Sequence, residues 1–251
     1  MQIKKRTFSG VVCEQEIFVV SDKVKNKKKT ESRLRFKNEE ERLQHRLGIS
    51  KRKHARLVNE NFSPSSLYST LTFDNEHEVH TFEEAKYIRD LYFRRLKYHF
   101  PDAVIFMYVG KGKSTRRIHL HMLSEGVPKE TIIKQWQYGS IVDVVNLREH
   151  NFYKGIDYGQ DYTGLADYLF DHWTPEQGGH RWKQTRNARK AEEEVPTEVK
   201  RRYSENKPPA APKGYKLVET KSTQYGYLYF KYVKEPPPYQ KPRCRKVENT
   251  S

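Results

Sequence analysis

Residues 116–123, RRIHLHML, set two imidazoles one residue apart inside an apolar run. Alternate side chains of a strand share a face, so His119 and His121 point the same way. Burying two such groups together is costly unless something satisfies them. Neutral imidazole is a common metal ligand, so the pair reads as half of a metal site. A helix over residues 164–173 (GLADYLFDHW) sets Leu165, Tyr168, Leu169 and His172 on one stripe. Leu165 and Leu169 then face a sheet, and Tyr168 offers a phenol at its edge. A buried tyrosine with a helix-capping histidine is the ordinary alternative. Residues 180–187 (HRWKQTRN) mix cations, amides and an indole, which suits a phosphate backbone with base stacking, or a solvated loop.

The elements around these residues are legible. Residues 1–20 read as a short hairpin, 23–29 (KVKNKKK) as a basic loop, and 33–58 as one or two basic helices interrupted near Gly48. Residues 67–73 have strand composition and end in the turn signal Asp74-Asn75. Thr81 and Glu84 form a capping box opening a helix with Phe82, Ala85, Ile88, Leu91, Tyr92 and Leu96 at helical spacing. A strand over 103–109, a turn over 110–113 and the His119/His121 strand make a hairpin. Pro128 opens a second helix with Ile132, Ile133 and Trp136 on its buried side. A strand over 141–145 and a loop over 158–162 follow, and Thr163 caps the helix of Tyr168. The order β-α-β-β-α-β-α points to an α+β fold: a ferredoxin-like, split βαβ antiparallel sheet covered by helices. Beyond a Pro-rich linker over 207–213, residues 215–218 and 225–233 read as a small hairpin with Tyr225, Tyr227 and Tyr229 on one face. Three divisions result: a basic extension over 1–60, the central domain over 61–195, and linker, hairpin and basic tail over 196–251.

The net charge is +16, and its distribution is uneven. Residues 1–60 carry 17 Lys/Arg against 8 Asp/Glu, and residues 196–251 carry 13 against 5, while the middle holds 18 against 19. A neutral centre between basic arms suits a polyanionic partner. Low apolar content, 35%, supports one modest core. No apolar run reaches the roughly 20 residues of a bilayer span, and no secretory leader is expected. Cys13 and Cys244 read as unpaired thiols of a reducing cytoplasm.

Taken together, three segments resemble the motifs of the HUH endonuclease superfamily, and within it the rolling-circle replication initiators of phages and plasmids. LYSTLTFD (67–74) resembles the first motif, IHLHML (118–123) the metal motif, and ADYLFDHW followed by HRWKQTRN the catalytic-tyrosine helix with its basic trailer. The resemblance covers about residues 62–190 and implies the following chemistry. His119 and His121 bind Mg²⁺ or Mn²⁺, and Tyr168 attacks single-stranded DNA at an origin, leaving a 5′-phosphotyrosyl link and a 3′-OH primer. Arg116, Arg117, Arg181, Trp182, Lys183 and Arg186 contact the DNA. Residues 106–111 lack the acidic third ligand of many relatives, and Asp171 stands where many carry Lys. By likeness to the single-domain transposase branch, His172 is the expected third ligand. Tyr158 and Tyr162 fall in a loop, leaving one catalytic tyrosine. A host helicase and polymerase in a bacterial cytoplasm are the implied partners, because no GxxxxGK[ST] phosphate loop is present.

The same chemistry fits a transposase or a mobilisation relaxase. A non-catalytic nucleic-acid-binding protein with a structural HxH pair fits the basic arms equally well, and a zinc hydrolase lacks a third acidic or cysteine ligand.

Overall fold

The computed structural model describes residues 2–19, 38–112, 116–140, 142–174, 177–223 and 226–235. Strands β3 (Leu67–Thr72), β4 (Val104–Lys111), β5 (Ile118–Glu125), β6 (Val142–Asn146) and β9 (Trp182–Gln184) form the central sheet in the order β6-β3-β5-β4-β9, all neighbours antiparallel. The short strands β7 (Phe152–Tyr153) and β8 (Ile156–Asp157) pair separately. Helix α2 (Phe82–His99) carries the chain from β3 to β4, and β5 is inserted between those two strands. The Thr81–Glu84 capping box that starts α2 is present.

Strand alternation divides the sheet residues between two cores. Leu71, Ile105, Met107, Leu120 and Met122 pack against α2 and α3 (Lys129–Gln135). Phe106, Tyr108 and Leu123 pack on the opposite face against α1 (Glu39–Asn61) and α4 (Thr163–Asp171). Both histidines of β5 lie on this second face, because they alternate with Leu120 and Met122. The protein is thus α+β, with antiparallel sheets and four helices among the described residues.

The two ends of the chain, separate extensions in the sequence, pair with each other. β1 (Gln2–Ser9) and β2 (Val12–Val19) form a hairpin; β12 (Tyr215–Ser222) and β13 (Leu228–Lys234) form another. β2 pairs with β13, so both hairpins share one sheet, edged by the short strands β10 (Glu192–Glu193) and β11 (Thr197–Val199). The expected Pro-rich linker is held down: Pro209 O accepts from Tyr232 Oη and Ala210 O from Gln15 Nε2. Gly10 closes the β1–β2 turn at φ 55°, where a Cβ would strike Asn59 O of α1.

Several local expectations need correction. α1 is one helix running through Gly48 to Asn61, because its buried positions lie on the C-terminal side of that glycine. Ile133 is exposed, so only Ile132 and Trp136 fill the α3 core. β4 extends through Gly110 and Lys111, two residues into the expected turn. Tyr162, not Thr163, occupies the N-cap of α4, and the helix stops at Asp171. Residues 182–184 form an edge strand rather than a loop. Cys13 is a buried free thiol whose pKa burial raises to about 12, so it is inert. The basic loop 23–29, Tyr225 and Cys244 lie outside the described residues.

The terminal sheet is fastened by charge. Arg56 pairs with Glu14 and Glu16, and Arg52 with Glu16. Tyr227 and Tyr229 donate to Glu16 and Glu14 respectively, both at 2.6 Å. Lys231 of β13 reaches Asp161 at 2.5 Å and Thr163 Oγ1 at 2.8 Å, at the start of α4. Both members of the Lys231–Asp161 pair are buried. Removing one leaves the other charge desolvated and unpaired, which costs about 3–5 kcal/mol. Lys231→Ala should therefore lower unfolding stability by that amount in denaturant titrations. Lys5→Ala, which breaks the more exposed pair with Glu193, should cost less than about 1 kcal/mol.

Candidate metal and tyrosine site

The site lies where the C-terminal end of α4 meets the β4–β5 hairpin. His119 and His121 present Nε2 atoms 3.0 Å apart. Two nitrogens held about 2.1 Å from one ion at right angles would stand about 3.0 Å apart. His172 caps the C-terminus of α4, and its ligating nitrogen joins theirs within 4.8 Å. Each ring commits its other nitrogen elsewhere. Nδ1 of His172 donates to Tyr168 O at 2.8 Å, and Nδ1 of His119 lies 3.4 Å from Arg117 O. Nδ1 of His121 meets Tyr68 Oη at 2.8 Å, with Thr70 Oγ1 at 3.3 Å. Anchored Nδ1 atoms leave the Nε2 lone pairs as the ligands, the usual outer-shell device of metal-binding histidines.

Electrostatics favour the neutral form of His119 and His121. Burial pulls His121 down to about 2, with His119 and His172 adding like-charge repulsion. Burial also lowers His119, and His172 adds to the effect. A neutral imidazole retains the lone pair that a cation needs, so the three histidines could bind a metal ion. The structure brings together all three residues that the sequence singled out as ligands.

Tyr168 stands over this triad. Its ring centroid lies 4.2 Å from His172 and 5.7 Å from His121, and 49% of the residue is solvent-accessible. Tyr162, by contrast, is buried and donates to Arg148 O. Tyr68 lies beneath, stacked on His121 with ring centroids 5.5 Å apart. Burial raises Tyr68 to about 12, and hydrogen bonding to Tyr168 keeps it there. Tyr68 therefore stays protonated between a ligand imidazole and the exposed phenol.

Two of these positions were not singled out by sequence. Tyr68 sits inside the first motif, and its pairing opposite Leu123 on β5 brings it beside His121. Gly110 lies opposite His119 across the β4–β5 ladder. A Cβ there would come 2.7 Å from His172 Cδ2 and 2.9 Å from His119 Nε2. The bare backbone of Gly110 is what lets the three rings share one space.

The expected DNA-contact residues do not form one patch. Arg117 turns to Phe73 O and Asn75 Oδ1, and Arg116 is exposed beside it. Trp182 packs on His54 in the α1/α4 core. Lys183, next along β9, emerges on the opposite face and pairs with Asp90 of α2 at 2.9 Å. Arg181 packs on the rings of Phe170 and Trp173, and Arg186 is exposed.

No family model, curated protein or solved structure matches the chain. No helix among the described residues is long and apolar enough to cross a membrane.

Tyr68→Phe should weaken binding of Mn²⁺ or Co²⁺ about 10- to 100-fold, the usual effect of losing an outer-shell partner. Gly110→Ala should abolish binding while thermal unfolding stays near that of the parent protein. Isothermal titration calorimetry with each metal checks both outcomes.

Proposed function

We propose that this chain nicks and rejoins single-stranded DNA by tyrosine transesterification, as an HUH-type initiator of rolling-circle replication. One observation carries the reading: three imidazoles turned on a common point, with the half-exposed phenol of Tyr168 packed against two of them. The strand order β6-β3-β5-β4, with α2 and α3 on one face, supports a split βαβ core of that type.

His119, His121 and His172 would hold a divalent cation, Mn²⁺ or Mg²⁺, which supplies Lewis acidity at a phosphodiester oxygen. Nitrogen donors favour Mn²⁺ of the two. Tyr168 Oη attacks the phosphorus, the P–O3′ bond breaks, and the departing oxygen takes a proton to become a free 3′-OH. The fragment on the 3′ side of the break stays esterified to Tyr168 through its 5′ phosphate. A phenoxide is both a fair nucleophile and a fair leaving group, so the 3′-OH can reverse the step without a nucleotide cofactor. Tyr68 holds His121 in the ligating tautomer and lends a hydrogen bond to Tyr168. The exposed 3′-OH would prime a host polymerase, and a host helicase would open the duplex, in a bacterial cytoplasm.

The test uses single-stranded oligonucleotides tiling the DNA that flanks the gene. With Mn²⁺ a denaturant-resistant protein–DNA adduct should form on one of them. EDTA and Tyr168→Phe should each abolish it, and His172→Ala should reduce its rate by more than about a hundredfold. An undiminished adduct in Tyr168→Phe, or none across the flanking DNA, rejects the proposal.

A further inference from the structure

Beside the site lies a cleft of about 440 Å³, walled by α1 on one side and the end of α4 on the other. Gln44, Leu47 and Lys51 of α1 line it together with Phe170, Asp171, Trp173 and Arg181. Asp171 and Trp173 flank His172 in sequence, so the cleft adjoins the metal triad.

Its charges are not equivalent. Lys51 is bound to Asp171 at 2.7 Å, which cancels both. Arg181 has no carboxylate within salt-bridge distance among the described residues. Its guanidinium carbon lies 4.2 Å from the Phe170 centroid and 4.2 Å from the Trp173 centroid. Its one hydrogen bond there is a long one, 3.4 Å, to Phe170 O. Other cations of this region are already paired: Arg52 and Arg56 with Glu16, Lys183 with Asp90, Lys231 with Asp161. Arg181 is thus a cation packed against two rings, with one long hydrogen bond on its N–H groups among the described residues and the rest left for an anion. Trp173 adds an indole to the cleft lining and Leu47 an apolar side chain.

A free planar cation, an indole and an apolar wall in one cleft match a nucleotide: phosphate to the guanidinium, base to the indole. We infer that this cleft seats a nucleotide neighbouring the scissile phosphate, with its base against Trp173 and Leu47 and a backbone phosphate on Arg181. The inference rests on the nicking reading. It makes the partly exposed Trp173 the base-stacking residue, while the partly buried Trp182 is engaged with His54.

The experiment uses full-length protein carrying Tyr168→Phe, so that binding is read without cleavage. Its affinity for a fluorescein-labelled eight-residue oligo(dT) is measured by anisotropy against an abasic deoxyribose-phosphate oligomer of equal length. The oligo(dT) should bind about tenfold or more tightly. Trp173→Ala should remove most of that difference, Trp173→Phe should restore it, and Leu47→Glu should weaken both oligomers. Arg181→Gln should lower the salt dependence by about one phosphate contact, a slope change of about 0.7. Retained Mn²⁺ binding by each variant shows that the triad and fold are intact. Equal affinity for oligo(dT) and the abasic oligomer in the parent protein, which needs no variant, overturns the inference. Failure of adduct formation in the wild-type protein bears on the nicking reading alone, because affinity is measured apart from chemistry.

Discussion

Everything at the site depends on how closely the end of α4 can approach the β4–β5 hairpin. Gly110 sets that distance. Its missing side chain is the space into which the His172 ring tips and beside which His119 lies. With any other residue one imidazole must leave, and the remaining two would offer an incomplete ligand set. The opposite end of the same helix is fixed by a different force. Asp161 and Thr163 bind Lys231 of the terminal sheet in a buried cluster, with Asn59 of α1 joining it. A nine-residue helix is too short to hold its own shape in water. Close steric fit at one end and a buried charge pair at the other give it a single position, and with it Tyr168.

The terminal hairpins thereby acquire a role that their charge concealed. Of their described cations Lys5, Arg6, Lys221 and Lys231 have acidic partners, and Arg52 and Arg56 of α1 reach Glu14 and Glu16 of β2. They clamp the second sheet over α1 and so brace α4. The excess positive charge resides elsewhere. Residues 20–37 carry eight Lys/Arg against two Asp/Glu, and residues 236–251 carry four against one. A polyanion would meet these segments electrostatically, while Arg181 alone among the cations lining the cleft is set up for a specific contact.

Periodicity and caps made much of the central sheet legible. The HxH strand, the Thr81 capping box and the Tyr168–His172 spacing are local signals, and each depends only on residues within a few positions. The pairing of β2 with β13 was not legible, since it joins residues some two hundred positions apart and neither hairpin announces its partner. What the face of Tyr227 and Tyr229 meets was hidden for the same reason: their hydroxyls end on Glu16 and Glu14 of the distant hairpin. Trp182 and Lys183 are adjacent in a basic run, yet a strand sends neighbours to opposite faces, which composition does not reveal. Gly110 looked like a turn residue because glycine is a turn signal, and only the approach of His172 reveals its other use.

The three tyrosines near the triad separate by environment rather than by sequence. Tyr162 is buried with its hydroxyl given to Arg148 O, so no substrate could reach it. Tyr68 touches a ligand imidazole, but burial holds its proton up to about 12 and its ring lies under the site. Tyr168 alone combines contact with the triad and access to solvent. A nucleophile must satisfy both conditions, since a phosphodiester is bulky, charged and strongly hydrated. Tyr68 and Tyr168 thus differ in what they can do: one stays protonated against His121, and the other packs on the triad with its ring open to solvent.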